Sequence, residues 1–257
     1  MSAAPARVEA THVELGCGSH KRDGYFGIDI APGEAVDLVL DIEHDRLPFD
    51  DDSVDHVYSS HTFEHLVAEG SPIMTLREIM RIARHGAIVE IWTPHGRSDD
   101  GLLFGHGVFY TETHWKHICY MYDDFYLGEG TRGRFKWVRT QYVLSPGILD
   151  ELVALRIPVE TALDHMQNIS MEFGVFLEVD KTRTKAESPQ LPVRELCYRR
   201  GDVLRTFGTP AVTVPRGDES IGRRVRRRVA ESPAAPTLRR IRDAGRRALG
   251  RGPHRHQ

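Results

Sequence analysis

The sequence predicts an α/β fold built on a mainly parallel sheet, and three observations carry that expectation. Short apolar runs recur at 11–16, 25–30, 36–40 and 54–59, each long enough for one strand. A stretch with helical spacing at 72–84 then separates the strand at 54–59 from another at 87–93. Such an alternation gives parallel neighbours, and a parallel sheet is expected to be covered on both faces. At 257 residues the chain is one large domain, or one domain with a lid and a tail.

Each element follows from local residue chemistry. Val13-Glu14-Leu15 runs into the turn Gly16-Cys17-Gly18, and a second apolar run ends at Asp29. Asp41 to Asp52 is acidic and contains Pro48, so it reads as loop. The helix at 72–84 has Ser71 as expected N-cap and Pro72 in its first turn. Ile73, Leu76, Ile79, Met80 and Ile82 give it one apolar face, and Gly86 supplies a stop. Residues 95–142, rich in His, Gly and aromatics, are too long for an idle connection and read as an inserted lid over the mouth of the sheet. Pro146 to Leu155 suits a helix, Val159 to Leu163 a strand, and Ile169 to Val179 a long strand. Residues 1–180 thus form the main domain, 181–222 an irregular extension and 223–257 a basic tail.

Composition narrows the classes. The hydrophobic fraction of 40% supports a core, and no apolar run approaches the length of a membrane span. The net charge of -3 hides an asymmetry: twelve Arg against Glu231 and Asp243 give the tail +10 and leave -13 elsewhere. The tail reads as solvated or disordered, with contact to an anionic membrane surface or an acidic partner as the other reading. Cys17, Cys119 and Cys197 are far apart and form no C-x-x-C pair. With no secretory segment at the N-terminus, this points to a reducing, cytoplasmic setting.

The chemistry concentrates at the first turn. Glycines let the backbone approach a ligand closely, and an acid at the end of the next strand can accept hydrogen bonds from ribose hydroxyls. Gly16-Cys17-Gly18-Ser19-His20-Lys21 lacks the third glycine of the dinucleotide fingerprint and does not match the phosphate-binding Walker pattern. Glu14-Leu15-Gly16-Cys17-Gly18 resembles motif I of class I S-adenosylmethionine-dependent methyltransferases. The resemblance continues through Asp37–Ile42, Leu47–His61, Arg77–Ile82 and Gly86–Ile91, and covers about residues 10–94. It implies a Rossmann-like, seven-stranded sandwich with an inserted lid and the last long strand as an antiparallel edge. It also implies S-adenosyl-L-methionine as cofactor. Glu14 would anchor the methionine end, and Gly16, Gly18 and Ser19 would form the turn. Asp29 would hold the ribose, Asp41 and Ile42 the adenine, and Ser60 would complete the cleft. Cys17 reads as a small buried filler.

His61-Thr62-Phe63-Glu64-His65 also matches H-x-x-E-H, the inverted zinc-peptidase motif. That reading needs a helix and a further acidic ligand, whereas here the segment follows a strand. At the end of the fourth strand, His61 and His65 are instead candidates to face the transferring methyl group, with His114 of the lid as a third catalytic candidate. Deprotonating a sugar hydroxyl calls for a base or a divalent ion. His95, Asp99, Asp100, His106 and His114 are candidates for either role, and Asp99 and Asp100, as candidate metal ligands, have oxygen chemistry that suits Mg²⁺. The aromatic, His-rich insert is similar to that of methyltransferases acting on sugars, and the Arg-rich composition is similar to actinobacterial enzymes of the mycobacterial methylmannose polysaccharide type. A sugar or oligosaccharide hydroxyl is the expected acceptor. The alternatives are another small molecule or a lipid intermediate, a nucleic acid, or cofactor binding without turnover. The missing [DN]-P-P-[YF] signature and the acidic core argue against nucleic acid as partner; a homodimer is left open.

Overall fold

A computed structural model describes residues 7–129, 131–185, 192–200 and 203–207, with side chains to Tyr198. The strands are β1 (His12–Leu15), β2 (Phe26–Asp29), β3 (Leu38–Val39), β4 (Val54–Ser60), β5 (Ala83–Pro94), β6 (Arg134–Leu144), β7 (Ser170–Asp180), β8 (Val193–Arg200) and β9 (Val203–Phe207). They form one sheet of order β3-β2-β1-β4-β5-β7-β6-β8-β9. Strands β1 to β5 pair in parallel, β7 lies antiparallel between β5 and β6, and β8 runs parallel to β6. The helices are α1 (Ser71–Ile82), α2 (Glu112–Lys116), α3 (Asp123–Leu127), α4 (Ile148–Leu155) and α5 (Val159–His165).

Several expectations are corrected. The sheet has nine strands rather than seven, because the hairpin β8–β9 comes from the extension read as irregular. The last long strand, β7, is interior rather than an edge. Residues 159–163 belong to helix α5, where Val159, Ala162 and Leu163 are buried at helical spacing. The lid ends before Arg134, since 134–144 is strand β6. Gly70, at φ +78°, caps α1 in place of Ser71, whose hydroxyl donates to Glu43 at 2.7 Å. Gly86, at φ +79°, sits in an irregularity of β5 and does not end the helix. Residues 208–257, including the basic tail, lie outside the described residues.

The sheet is also packed asymmetrically. All five helices contribute to one large core with Val13, Leu15, Val57, Val89, Val175 and Leu177 of the strands. Alternation turns the intervening residues to the other face. There Trp92, Val143, Phe176 and Cys197 make a small cluster with Tyr58, to which no described helix contributes. The ten-residue connection from Gly16 to Tyr25 carries no helix and lays Arg22 over this face. The Arg22 guanidinium donates to both Glu90 oxygens at 3.1 and 3.0 Å and lies 3.4 Å from the Tyr58 ring centroid. Trp92 Nε1 donates to Glu90 at 2.6 Å. The expected cover on both faces is thus supplied on one side by an ion pair and aromatic rings.

The lid is fastened to the sheet by two buried polar groups. Arg134, only 2% exposed, donates to Asp123 and Asp124 at the start of α3 at 2.6 and 2.5 Å, and to the carbonyls of Thr131 and Gly133. Glu112, at the start of α2, accepts the Tyr142 hydroxyl at 2.6 Å and has His95 Nε2 at 3.7 Å. Burial pushes the Glu112 carboxyl up, but the neighbouring His95 ring and the hydrogen bond from Tyr142 outweigh it and hold it at about 2. At the centre of the sheet, a Cβ on Gly174 would lie 2.5 Å from the Trp92 ring.

Two outcomes are expected. Gly174→Ala should lower stability by about 1–3 kcal/mol in urea unfolding, because Trp92 must shift against packed neighbours. Glu112, depressed in the folded state, contributes stability that is complete above its unfolded pKa of 4.5 and is lost as pH falls toward about 2. That contribution is on the order of 3 kcal/mol. Urea unfolding across this acid range should show a steep loss in the wild type and a shallower one in Glu112→Gln.

Candidate functional site

The sheet order reverses between β1 and β4, and the crevice beyond the strand ends at such a reversal is where α/β sheets bind ligands. A cavity of about 450 Å³ lies there. Its walls come from the ends of four strands: Gly16 and Gly18 after β1, Asp29 and Ile30 at β2, Leu40 to Glu43 after β3, and His61, Thr62, His65 and Leu66 after β4. Gly16 and Gly18 have φ of +70° and +57°. A Cβ on Gly16 would fall 2.0 Å from Thr62 Oγ1, so the turn requires glycine on both conformational and steric grounds. Asp29 Oδ2 accepts the Gly18 amide at 2.8 Å, and Oδ1 accepts the Ala31 amide at 3.0 Å. Asp41 is held below the ordinary carboxylate range by His44 first and then by the Glu43 amide.

Five of the expected cofactor residues, Gly16, Gly18, Asp29, Asp41 and Ile42, meet in this cavity. Glu14, Ser19 and Ser60 are not among its walls. Glu14 points to the opposite sheet face, where it accepts the Arg22 amide at 2.6 Å and burial raises its carboxyl pKa. Ser19 bonds His20 at 2.8 Å. Ile30, Leu40, Glu43, Thr62 and Leu66 are additional walls. Ile30 is a visible signal in retrospect: an apolar residue 68% exposed directly after Asp29. Cys17 is buried, and its thiol is pushed up to about 11 by burial first, which suits a filler.

A second cavity of about 590 Å³ shares His61 and His65 with the first and continues along Glu64, Asp100, His106 and Glu172. His61 sits at φ +52°, a conformation that costs a non-glycine residue energy. Its Nε2 is 2.9 Å from Glu172 and its Nδ1 3.3 Å from Glu64. The hydrogen bond with Glu172 first, and then the neighbouring Glu64 carboxylate, raise its pKa to about 9. The two carboxylates thus favour the protonated ring, which suits donating a hydrogen bond rather than taking up a proton. His65 uses Nδ1 on the Gly105 carbonyl at 3.1 Å.

The other candidates go elsewhere. His114 is the third residue of the α2 capping box with Thr111 and lines neither cavity. Asp99 accepts from Asn168 Nδ2 at 3.0 Å and Gln167 Nε2 at 3.3 Å. Among the described residues, three ligand atoms converge at Glu64, His65 and His106 and at Asp41, Glu43 and His44; neither group includes Asp99 or Asp100. The H-x-x-E-H segment forms one short turn over Phe63–His65, without the helix that the peptidase reading requires. No described helix is long and apolar enough to cross a membrane.

Residues 13–91 match the family model of a methyltransferase domain. No curated protein matches the chain. Solved structures with a similar chain path include a SAM-dependent methyltransferase from Archaeoglobus fulgidus (15% identity, 66% of this chain and 87% of the other, TM-score 0.43). Another is an S-adenosylmethionine-dependent methyltransferase from Mesorhizobium loti (15%, 68% and 93%, 0.39). A third is a geranyl diphosphate C-methyltransferase from Streptomyces coelicolor (11%, 67% and 73%, 0.40). The family match spans β1 through most of β5 and includes every residue of the first cavity. Residues 13–91 match a methyltransferase domain and take the Rossmann-like arrangement of strands, and a domain of that family implies S-adenosylmethionine as methyl donor.

Proposed function

We propose that the protein transfers a methyl group from S-adenosylmethionine to a hydroxyl of a sugar or oligosaccharide. The observation that carries this reading is the pair of cavities that share His61 and His65. The first fits the nucleoside: Asp29 faces the ribose hydroxyls and Asp41 and Ile42 the adenine edge. The second fits an acceptor rich in hydroxyls, because its polar wall is made of imidazoles and carboxylates. The lid aromatics support this less than the sequence implies. Tyr110 and Trp115 are buried core residues, Trp137 belongs to β6, and the acceptor cavity is walled by Leu103, Val143, Met171 and two prolines.

In the proposed step the methyl carbon leaves sulfur as the C–S bond breaks. The acceptor oxygen forms the new C–O bond, and S-adenosylhomocysteine departs. The acceptor proton goes to Glu172, while His61 orients this carboxylate and donates to it. The sulfonium is already activated, so the protein contributes placement and a proton acceptor. The shared walls at His61 and His65 put the boundary of the two cavities where the methyl group crosses.

Titration calorimetry with S-adenosylmethionine should show binding in the wild type and at least about tenfold weaker binding in Asp29→Asn, which loses the charge-assisted ribose contact. Glu172→Gln should lower kcat by about 10²-fold or more with cofactor affinity preserved. The acceptor class is tested by supplying the full chain with S-adenosylmethionine and panels of oligosaccharides, phenols and lipid alcohols. Methylation of a sugar hydroxyl supports the reading, and turnover confined to the other panels overturns it.

A further inference from the structure

Glu64 is 2% exposed, and neither of its carboxylate oxygens has a hydrogen-bond partner. A buried carboxylate left so is costly and calls for a compensating charge. His61 Nδ1, 3.3 Å away, supplies part of it without hydrogen-bond geometry. His65 and His106 also converge on this carboxylate: one ligand atom from each of the three residues lies within 4.8 Å of the others. The two rings meet edge to face, with centroids 4.8 Å apart at 77°. His106 Nδ1 is buried and also lacks a partner.

The surroundings hold this arrangement in place. The His65 Nδ1–H donates to the Gly105 carbonyl, leaving Nε2 with its lone pair. Outer hydrogen bonds of this kind fix the tautomer of metal-ligating histidines. The loop carrying His106 is pinned to the same turn, because the Gly107 amide donates to the Glu64 carbonyl at 2.8 Å. The segments supplying the ligands are thus tied by their backbones. The Asp41–Glu43–His44 group lacks these features: Asp41 and His44 bond each other at 2.8 Å, and the Asp41 and Glu43 oxygens already accept backbone or hydroxyl donors.

We propose that Glu64, His65 and His106 hold a divalent transition-metal ion at the junction of the two cavities. Two imidazoles and one carboxylate suit Mn²⁺, Fe²⁺, Co²⁺ or Zn²⁺, whereas Mg²⁺ prefers oxygen ligands. Three protein ligands leave open positions, the mark of a catalytic rather than a structural metal site. Glu64 and His106 line the acceptor cavity and His65 lines both. Resting on the methyl-transfer reading, the ion would take the acceptor oxygen on an open position and lower the pKa of its hydroxyl. The hydroxyl proton still leaves to Glu172.

The test uses the full chain, freed of metal by a chelator and dialysed, then titrated with Co²⁺, Mn²⁺ and Mg²⁺ by calorimetry. Co²⁺ is also followed by its visible absorption. One Co²⁺ or Mn²⁺ per chain is expected, bound at least about tenfold tighter than Mg²⁺. Glu64→Gln and His106→Ala should each weaken Co²⁺ binding at least tenfold and change its spectrum. S-adenosylhomocysteine affinity, measured on the same samples, should stay unchanged and shows that the variants are folded. Absence of Co²⁺ and Mn²⁺ binding in a wild type that binds S-adenosylhomocysteine would overturn the site, as would Co²⁺ binding that both variants retain. Metal binding lost in the variants, in a protein that binds no S-adenosylhomocysteine, would support the site and sink the methyl-transfer reading instead.

Discussion

The close approach of Gly16 to Thr62 is the constraint on which both cavities depend. The chain leaves β1, goes outward to β3 and returns to β4 beside its starting point, so the segments leaving the ends of these parallel neighbours run side by side. They pass with no room for a Cβ on Gly16. The Thr62 hydroxyl is within 3.2–3.4 Å of the carbonyls of Leu15, Gly16 and Ser60 and joins the two strand ends. That contact sets the depth of the first cavity. It also fixes where the chain turns after β4, and therefore where His61, Glu64 and His65 project.

What the sequence made legible follows from how locally each feature is determined. The convergence of Gly16, Gly18, Asp29, Asp41 and Ile42 on one cavity was readable because each stands at a strand end or turn that its immediate neighbours specify. The strand periodicities and helix α1 were readable for the same reason. Val159–Leu163 was misread because a short apolar run looks alike in a strand and in a buried helix, and only packing decides. Glu14 lies two residues before Gly16 and is not a wall of the first cavity; its carboxylate instead holds the amide of Arg22 in the connection that follows the turn. The hairpin β8–β9 depends on pairing with β6, a long-range partner that no local pattern reveals.

The missing helix between β1 and β2 has an energetic consequence. A parallel sheet with one face lacking a helix would expose its backbone and its apolar side chains to water. Here Arg22 closes part of that face by pairing with Glu90, stacking on Tyr58 and bringing its own amide to Glu14. Because Arg22 lies in the connection that follows the Gly16–Gly18 turn, the same short loop shapes the first cavity and covers the far side of the sheet. A substitution in that loop therefore acts on stability and binding together, and a fall in cofactor affinity there says little about contact with the cofactor unless stability is measured beside it.

The lid separates these burdens. Tyr110 and Trp115 of the insert go into the core, Glu112 of α2 ties it to Tyr142 and His95, and Arg134 of β6 holds the start of α3. Only a few of its residues, among them Asp100, Leu103 and His106, reach the acceptor cavity. An insert held this firmly at its base can vary at its tip without disturbing the sheet, since loops carried on a rigid scaffold tolerate change. His106 is on that tip, yet its loop is bonded to the Glu64 carbonyl from the β4 turn. The second cavity is thus built jointly by the insert and by the turn that the Gly16–Thr62 contact positions, so the placement of the two cavities relative to each other depends on the contact between the segments that leave β1 and β4.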